Sequence, residues 1–398
     1  MTAKIYSAAL IGIKAQPIEV EVDLGSGLHS FNIVGLPDKA VEESKDRVSS
    51  AIKNSGASPP QKQNRRITVN LAPADLKKEG SVYDLAIAIG YLLASKQIQD
   101  FKTDNKVFLG ELALDGTIRP IPGVLPVALM AKEKGFEYLI VPQKNIREAA
   151  IVKGVKVIGV EKLADLVEYL EGKKEINESE EVNLEQLETT EYLTDFSQVR
   201  GQEQAKRALE IAAAGGHNIL MVGSPGSGKT MLAKALPSIL PEMSIDEALE
   251  VTQVYSVCGL VPIDKPLICA RPFRSPHHTA SNVALVGGGT WPKPGEISLA
   301  HRGVLFADEI AEFPRNVLEA LRQPLEDGLV TVSRVQGTVS FPAKFILVAA
   351  MNPCPCGYYG DPEKECKCSP SEILRYQKRL SGPLMDRLDI QIEVPRVK

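Results

Sequence analysis

Alternating hydrophobic and polar positions dominate the front of the chain. Lys4–Ile11, Ile18–Leu24 and Leu28–Val34 carry the two-residue periodicity of β-strands, which returns at Arg66–Leu71. Between them, Asp38–Asn54 has the periodicity of an amphipathic helix. Strands followed by helices predict an α/β or α+β sandwich for this part of the chain.

Short apolar runs mark the strands of the second half. Ile219–Val222, the apolar part of Gly303–Ile310 and Phe345–Ala350 each have the pattern of a buried strand that ends at polar residues. Leu329–Phe341 instead alternates apolar and polar residues about Gln336–Gly337, which predicts a β-hairpin. We therefore predict a mixed α/β protein with a second core behind the front domain.

Composition divides the chain into two domains and a linker. The 398 residues allow about two or three domains of ~100–200 residues each. Glu171–Tyr192 is poor in large apolar residues and cannot offset its ordering entropy by burial. It is either a mobile or surface-lying connector or a solvated extension of a helix at Ala164–Leu170. We place domains at 1–170 and 195–398 and a linker at 171–194.

The overall charge favours no particular class of partner. A net charge of −4 gives no general attraction to nucleic acid, so a DNA site must be a local patch. The chain has no basic and apolar leader and no long uncharged apolar span. We therefore expect a cytoplasmic protein that makes no membrane contact.

A glycine-rich loop follows the strand Ile219–Val222 and precedes a helical segment. Its backbone amides are expected to surround the β- and γ-phosphates of ATP, with a lysine charge for the phosphates and a threonine hydroxyl for Mg²⁺. The residues of this phosphate loop are Gly223, Ser224, Pro225, Gly226, Ser227, Gly228, Lys229 and Thr230. Strand, loop and helix stand in the order that nucleotide binding requires.

Two carboxylates end the apolar strand in Gly303–Ile310. Asp308 is expected to hold Mg²⁺, and Glu309 to orient or polarise the attacking water. Paired acids after a strand are otherwise a solvated strand end. The phosphate loop upstream favours the catalytic interpretation.

Two further segments resemble AAA+ ATPases. The segment Val199–Gln202, with Gly201 and Gln202, corresponds to residues that lie against the adenine base in that family. Asn352 follows the strand Phe345–Ala350 and matches the residue that senses the γ-phosphate. The alternative for Asn352 is a loop-capping role.

Arg387 lies in a predicted helix-to-strand corner, Ser381–Asp389. This corner resembles the one from which the magnesium chelatase and MCM branches of AAA+ proteins present an arginine finger to the neighbouring subunit. The resemblance implies a ring, with a hexamer as the family expectation. The alternative is a salt bridge to Asp386 or Asp389, and Arg379 is a second candidate finger.

Three segments of the front domain resemble, in order, the catalytic domain of Lon protease: KKEGSVYDLAIAIGYLL, GELALDGTIRPIPGV and YLIVPQKN. The resemblance implies a Lon-like α+β fold of the ribosomal S5 domain 2-like type. The family's serine nucleophile and lysine fall at Val82 and Leu125, which cannot perform the chemistry. Ser81 is one place off and is expected to lack a base. We therefore predict a scaffold or assembly module without peptidase activity.

Two stretches carry residues suited to DNA. The predicted hairpin resembles the presensor hairpin of the magnesium chelatase and MCM group, and Arg334 near its tip is a candidate phosphate contact. Residues 271–297 join basic and ring side chains to a glycine hinge and Trp291. The candidates in this second stretch are Arg271, Arg274, His277, His278 and Lys293. For the histidines, contact with another subunit, a structural role and metal binding are open alternatives.

Four cysteines form a C-x-C-x9-C-x-C pattern in a loop with Gly and Pro. They are Cys354, Cys356, Cys366 and Cys368. Four thiolates can close a tetrahedral Zn²⁺ site that stabilises an insertion without a core of its own. The pairs are closer than the usual C-x2-C, so free thiols and redox disulfides are alternatives. Cys258 and Cys269 lie in apolar sequence and are predicted to be buried.

The Lon-like front, the acidic connector and the segments RSPHHTAS and NPCPCG together resemble the bacterial YifB/ComM group of magnesium chelatase-like AAA+ proteins. The resemblance spans essentially the whole chain. It implies a hexameric ATP-dependent helicase that drives branch migration on branched or single-stranded DNA during natural transformation. Because the chain ends at Lys398, we expect the helical lid with its second sensor arginine to be absent. The alternatives are a motor for metal insertion into a porphyrin, an unfoldase without peptidase activity and a nucleotide-switched assembly factor.

Overall fold

The computed structural model describes residues 2–62, 64–179, 192, 194–289, 292–334 and 337–396, with only the backbone of Arg334 and Gly337. The chain forms two structural units. One consists of Met1–Gln186 and Tyr255–Leu267, and the other of Leu187–Val254 and Ile268–Lys398. The segment Tyr255–Leu267 belongs to the front unit. The domain boundaries predicted from composition placed this segment in the second domain.

A seven-stranded mixed sheet forms the centre of the front unit. Its strands and those of a separate short hairpin are β1 (Thr2–Ile11), β2 (Lys14–Ser26), β3 (Ser30–Val34), β4 (Arg65–Ala72), β5 (Lys106–Phe108), β6 (Glu111–Leu112), β7 (Ile118–Arg119), β8 (Tyr138–Pro142) and β9 (Lys156–Val160). The sheet order is β3-β4-β2-β1-β5-β8-β9, and β6 pairs with β7. Because side chains alternate along a strand, one face of β1 and β2 is available to bury Ile5, Val20 and Val22.

The helices of the front unit are α1 (Lys39–Glu42), α2 (Ser44–Asn54), α3 (Asp84–Ala94), α4 (Val124–Lys134), α5 (Ile146–Ala149) and α6 (Leu163–Leu170). Of these, α3 and α4 pack on β1 and β2. Nearly every residue of α3 is buried, and a methyl group at Gly90 would lie 2.7 Å from Val22 Cγ2. Glycine at this position therefore lets the helix approach the sheet closely.

The predicted strands and helix of the front unit are confirmed, with differences at their ends. The antiparallel pair of β1 and β2 runs from Thr2 opposite Asp23 to Ile11 opposite Lys14, so both strands are longer than their apolar patterns. The predicted helix is divided into α1 and α2 at Glu43. Asp38 caps α1 by accepting a hydrogen bond from the Val41 amide.

The described part of the linker does not continue the preceding helix. α6 ends at Leu170, and residues 175–179 form no helix or strand. The Ser179 amide donates to the Val157 carbonyl of β9 at 2.9 Å, and Lys156 pairs with Glu178 at 3.2 Å. Residues 180–191 and 193 of the predicted linker lie outside the described residues.

A parallel sheet forms the centre of the second unit. The strands of this unit are β10 (Ile219–Val222), β11 (Phe273–Arg274), β12 (Gly287–Gly288), β13 (Lys293–Pro294), β14 (Val304–Ala307), β15 (Leu329–Arg334), β16 (Gly337–Pro342), β17 (Ile346–Met351) and β18 (Ile390–Glu393). Five of them form a sheet of order β11-β14-β17-β10-β18, in which all neighbours are parallel. The carboxyl ends of β10, β14 and β17 therefore meet at one edge.

The helices that follow in the chain are α7 (Glu203–Gly215), α8 (Lys229–Ala235), α9 (Ile245–Val257), α10 (Asn282–Val286), α11 (Glu296–Leu299), α12 (Arg315–Ala320), α13 (Arg322–Asp327), α14 (Pro370–Gln377) and α15 (Gly382–Met385). The α/β fold class is confirmed, as is the helix-to-strand corner formed by α15 and β18. None of the described helices has both the length and the apolar character needed to cross a membrane.

The predicted hairpin is present. β15 and β16 pair antiparallel from Leu329 opposite Pro342 to Arg334 opposite Gly337. Gly337 therefore pairs as part of the second strand, whereas the sequence pattern predicted it as a turn residue. Gln336, Trp291 and the Arg334 side chain lie outside the described residues.

Candidate nucleotide site and cysteine cluster

The phosphate loop follows β10 at the carboxyl edge of the parallel sheet. Gly226 and Gly228 have φ angles of +81° and +93°, in the left-handed region that glycine adopts without strain. Gly223 is required for a different reason, since a methyl group there would lie 2.3 Å from the Val394 carbonyl oxygen. The glycines thus permit both the turn of the loop and its close contact with the chain after β18.

Lys229 is the buried cation of this loop, with 8% of its surface exposed. Its Nζ donates to the carbonyls of Gly223 at 2.6 Å and Ser224 at 3.0 Å, and lies 3.5 Å from Ser227 Oγ. Burial lowers the pKa of Lys229, while the charges of Asp308 and Glu309 raise it. A buried ammonium group whose hydrogen-bond partners are neutral oxygens is suited to accept an anionic phosphate.

Thr230 and Asp308 come together from different elements. Thr230, in the first turn of α8, donates its hydroxyl to Asp308 Oδ2 at 2.9 Å, and Asp308 directly follows β14. The other oxygen, Oδ1, accepts from the Glu309 amide at 3.0 Å. A hydroxyl and a carboxylate this close are the kind of oxygen ligands that suit Mg²⁺.

Glu309 is held in a left-handed conformation, with φ of +50°, and 53% of its side chain is exposed. Its Oε2 lies 3.5 Å from His278 Nδ1. The rings of His277 and His278 have centroids 4.1 Å apart, and His277 Nδ1 lies 2.8 Å from Thr279 Oγ1. The pattern of residues alone did not predict that His278 faces the candidate catalytic carboxylate.

The adenine and γ-phosphate candidates both adjoin the phosphate loop. Gln202 Nε2 donates to the Ser227 carbonyl at 3.1 Å, and Gly201 has a φ of +64°. The Gly223 amide donates to the Met351 carbonyl at 3.2 Å, which brings Asn352 beside the start of the loop. Their roles toward nucleotide stay predictions.

Arg387 forms an ion pair with Glu326 of the same chain, and 32% of its side chain is exposed. Neither of the two partners considered from sequence, Asp386 and Asp389, takes this place; Asp389 instead accepts from the Asn218 amide at 2.9 Å. Arg379, the second candidate finger, pairs with Glu312 at 2.6 Å. The finger role of Arg387 is a property of an assembly and stays a prediction.

The candidate DNA residues have different surroundings. Nε and Nη2 of Arg274 donate to the two oxygens of the Glu296 carboxylate, at 2.6 and 2.7 Å, so a phosphate contact would have to replace this bidentate pair. Arg271 pairs with Glu247 at 3.4 Å. Lys293 and His277 are exposed. Among the DNA candidates whose side chains the structure describes, these last two are the most accessible to a ligand.

The four loop cysteines lie together. Their sulfurs are all within 4.8 Å of one another, and Cys354 Sγ is 3.3 Å from Cys356 Sγ and 3.6 Å from Cys366 Sγ. A disulfide would require about 2.05 Å, whereas four sulfurs at ~2.3 Å from one Zn²⁺ ion are about 3.8 Å apart. The backbone amides of Tyr358 and Lys367 lower the pKa of Cys356 to about 6, whereas burial and the neighbouring cysteines raise the pKa of Cys366 and Cys368.

The two cysteines outside this cluster are only half-buried, so the prediction that they are buried is wrong. Cys258 contributes to the lining of a cavity and lies in the segment Tyr255–Leu267. Burial still raises the pKa of Cys269. Apolar neighbours in the sequence did not imply full burial at either position.

The front unit has no serine–lysine pair at the positions of the Lon dyad. Leu125 is fully buried, and Val82 is partly buried against the core. Ser81, which was expected to lack a base, donates its hydroxyl to the Glu111 carboxylate. Arg119 binds the same carboxylate at 3.1 Å.

Sequence reasoning missed a polar network in the front unit. Glu148, which is 9% exposed, accepts hydrogen bonds from the Ser256 hydroxyl at 2.5 Å and the Leu125 amide at 3.1 Å. Asn145 also donates to it, at 3.3 Å. These residues adjoin a cavity of about 510 Å³. No local periodicity connects Glu148 with Ser256, because the pair is 108 positions apart.

Two family models match the chain. Residues 195–398 match magnesium chelatase, subunit ChlI, and residues 20–145 match subunit ChlI of Mg-chelatase. The competence protein ComM of Haemophilus influenzae is 48% identical over 395 residues, which cover 99% of this chain and 76% of that protein. YifB of Escherichia coli is 46% identical over 396 residues, or 98% and 75% of the two chains. The magnesium-chelatase subunit ChlI of Olisthodiscus luteus is 27% identical over 169 residues, or 40% and 50%.

Proposed function

Because the chain belongs to the YifB/ComM family of magnesium chelatase-like proteins, we propose that it hydrolyses ATP and acts on DNA as a ring motor. The observation that carries the proposal is the contact of Thr230 with Asp308, followed directly by Glu309, at the sheet edge that also holds Lys229. A hydroxyl and a carboxylate suit a hard cation, and a second carboxylate suits activation of water. The relative named as a competence protein supports an action on DNA.

Each residue has one task in the proposed mechanism. Lys229 would bind the β- and γ-phosphates, while Thr230 and Asp308 would hold Mg²⁺, which neutralises phosphate charge when bound. Glu309 would orient the attacking water or accept its proton, with His278 positioning its carboxylate. Arg387 of a neighbouring subunit would stabilise the charge that develops on the transferred phosphate. Turnover would therefore require assembly, for which we propose a hexamer.

Motion would reach DNA through two segments. The hairpin β15–β16 and the segment that contains β12 and β13 would contact the backbone of branched or single-stranded DNA in the cytoplasm. Lys293 and His277 are exposed there, and Arg334 ends β15. Cycles of hydrolysis would shift these segments and drive branch migration during recombination or natural transformation.

We also propose that the four clustered cysteines bind Zn²⁺. The support is their mutual proximity, within 4.8 Å, and separations of 3.3–3.6 Å that exceed a disulfide bond and approach those of a tetrahedral site. The ion would stabilise a loop that has no regular secondary structure between β17 and α14.

Metal insertion into a porphyrin is the second candidate, because the matching family model is that of a magnesium chelatase subunit. The steady-state ATPase rate, measured alone and with a four-way DNA junction, with porphyrin and Mg²⁺, or with unfolded casein, separates the candidates. We expect stimulation by the junction only. Stimulation by porphyrin would support the insertion motor, stimulation by casein an unfoldase, and ATP binding without turnover an assembly factor.

A further inference from the structure

We propose that metal binding by the cysteine loop, residues 354–368, strengthens nucleotide binding at the phosphate loop. The two sites would then be energetically coupled. This inference rests on the proposed nucleotide and Zn²⁺ sites. It adds that bound Zn²⁺ raises the affinity of the phosphate loop for nucleotide. Three sets of contacts within the second unit carry it.

The cysteine loop begins where the sheet meets the phosphate loop. It starts two residues after Asn352, which follows β17, and β17 is the parallel neighbour of β10. The Gly223 amide at the start of the phosphate loop donates to the Met351 carbonyl at 3.2 Å. Movement of the cysteine loop is therefore transmitted directly to the strand ends that hold the nucleotide residues.

The backbone of the cysteine loop packs on a proline of the phosphate loop. A methyl group at Gly357 would lie 2.7 Å from Pro225 Cδ and 2.8 Å from its Cγ. Gly357 also has a φ of +85°, so both its conformation and its surroundings favour glycine. Because it directly follows Cys356, a ligand at that sulfur would fix the contact with Pro225.

A charged side chain joins the two loops. Arg396 pairs with Glu363 of the cysteine loop at 3.1 Å and donates to the Pro225 carbonyl at 3.3 Å. Asp361 contributes a second connection, since its carboxylate lies beside Ser224. Its Oδ1 accepts hydrogen bonds from the Glu363 and Lys364 amides at 2.9 and 3.0 Å, and the Ser224 side chain, like these amides, lowers the pKa of the Asp361 carboxyl.

The sulfurs tie together the two ends of this loop. Cys354 and Cys356 lie near its beginning, and Cys366 and Cys368 at its end, while no helix or strand lies between them. Without a metal, ordering the loop costs conformational entropy that its own packing must offset. A bound ion removes that cost before nucleotide arrives, so nucleotide binds to an already ordered phosphate loop. By linkage, nucleotide must tighten metal binding by the same factor.

The test measures metal content and nucleotide affinity on the same protein. The chain is isolated, its Zn²⁺ is quantified, and the Kd for a non-hydrolysable ATP analogue is measured calorimetrically with Mg²⁺ present. The protein is then treated with a chelator, dialysed into Mg²⁺ and measured again, before and after one equivalent of Zn²⁺ is returned. We expect about one Zn²⁺ per chain, at least a fivefold weaker Kd after removal, which is the lower end of typical coupling between sites, and recovery with Zn²⁺.

Variants distinguish the cluster from other thiols. Cys366→Ser with Cys368→Ser should lose Zn²⁺ and show the weak Kd whether or not Zn²⁺ is added. Cys258→Ser with Cys269→Ser is the matched control and should behave as the unaltered chain. Arg396→Gln should retain Zn²⁺ but lose part of the coupling, because it removes the bridge and leaves the sulfurs. Circular dichroism establishes that each variant is folded.

Each failure has a separate signature. Absence of Zn²⁺ from the isolated chain, with no uptake on addition, would overturn the metal site and the inference but leave nucleotide binding intact. Bound Zn²⁺ with a Kd that does not change on its removal would overturn the coupling alone. No binding of the ATP analogue in any state would overturn the nucleotide site on which the inference rests.

Discussion

The two carboxylates after β14 are distinguished by their surroundings. Asp308 is engaged by the Thr230 hydroxyl and the Glu309 amide, whereas the Glu309 carboxylate projects from a left-handed residue toward His278. The first arrangement fixes an oxygen ligand beside a hydroxyl. The second leaves a partly exposed carboxylate that water can reach, so we expect different chemistry from these two adjacent carboxylates.

Replacing His278 tests whether it positions Glu309. His278→Ala should lower kcat by about 10- to 100-fold with little change in KM, because the carboxylate loses the group 3.5 Å away that restrains it. ATPase kinetics give both constants, and His278→Gln should recover part of kcat. His29→Ala is the matched control, since His29 is an exposed histidine of the front unit. A rise in KM with unchanged kcat would instead assign His278 to binding.

At the scale of elements, close packing of α3 on the sheet supports the front unit. The helix is almost wholly buried, and its first residue, Asp84, binds Arg47 at 2.7 Å. At Gly90 this helix lies close to β2, since only 2.7 Å would separate an added methyl from Val22 Cγ2. Asp84 and Gly90 therefore serve the packing of this helix and have no part in the proposed catalysis.

Gly90→Ala should destabilise the front unit. Overpacking of a buried contact costs about 1–3 kcal/mol, which exceeds the ~1 kcal/mol that alanine gains over glycine in a helix. Thermal and urea unfolding should therefore show a net loss of about 1 kcal/mol. Gly25→Ala is the control, because the nearest atom to its added methyl is 3.9 Å away. Equal free energies of unfolding for Gly90→Ala and the unaltered chain would show that β2 moves to accommodate the added methyl without loss of stability.

Local patterns predicted elements better than they predicted contacts between distant residues. Ile219–Val222 forms a strand over the predicted residues because a central parallel strand is a continuous apolar run. The hairpin was predictable from alternation, but its register was not, because Gly337 pairs with Arg334 as part of the second strand. The Ser256–Glu148 bond and the Arg387–Glu326 pair left no local signal, since each joins residues far apart in sequence.

At the scale of the whole molecule, the proposed ring requires Arg387 to exchange partners. In the single chain it pairs with Glu326, and both side chains are partly exposed, at 32% and 45%. Such a pair contributes only about 0–1 kcal/mol to the free energy of unfolding, so the chain stays folded when the pair is lost on assembly. A planar guanidinium that is always charged suits the transferred phosphate of a neighbour.

Arg387→Ala should therefore leave the single chain folded but inactive in the assembly. We expect an unchanged melting temperature within about 2–4 °C and at least a ~10³-fold lower ATPase rate in rings of normal size. Thermal unfolding, ATPase assays and mass measurement in solution check the three parts. Arg379→Ala, which removes the pair with Glu312, is the matched control. Survival of activity in Arg387→Ala with its loss in Arg379→Ala would make Arg379 the finger.

The most direct measurement of the central claim is ATP-dependent branch migration of a labelled four-way DNA junction. Glu309→Gln is the control, because it should bind ATP and assemble but lose about 10²- to 10⁴-fold in turnover. We predict strand exchange by the unaltered protein only when ATP is hydrolysed, and none by Glu309→Gln. A junction that stays intact while the unaltered protein hydrolyses ATP would contradict a DNA motor, as would equal migration by Glu309→Gln.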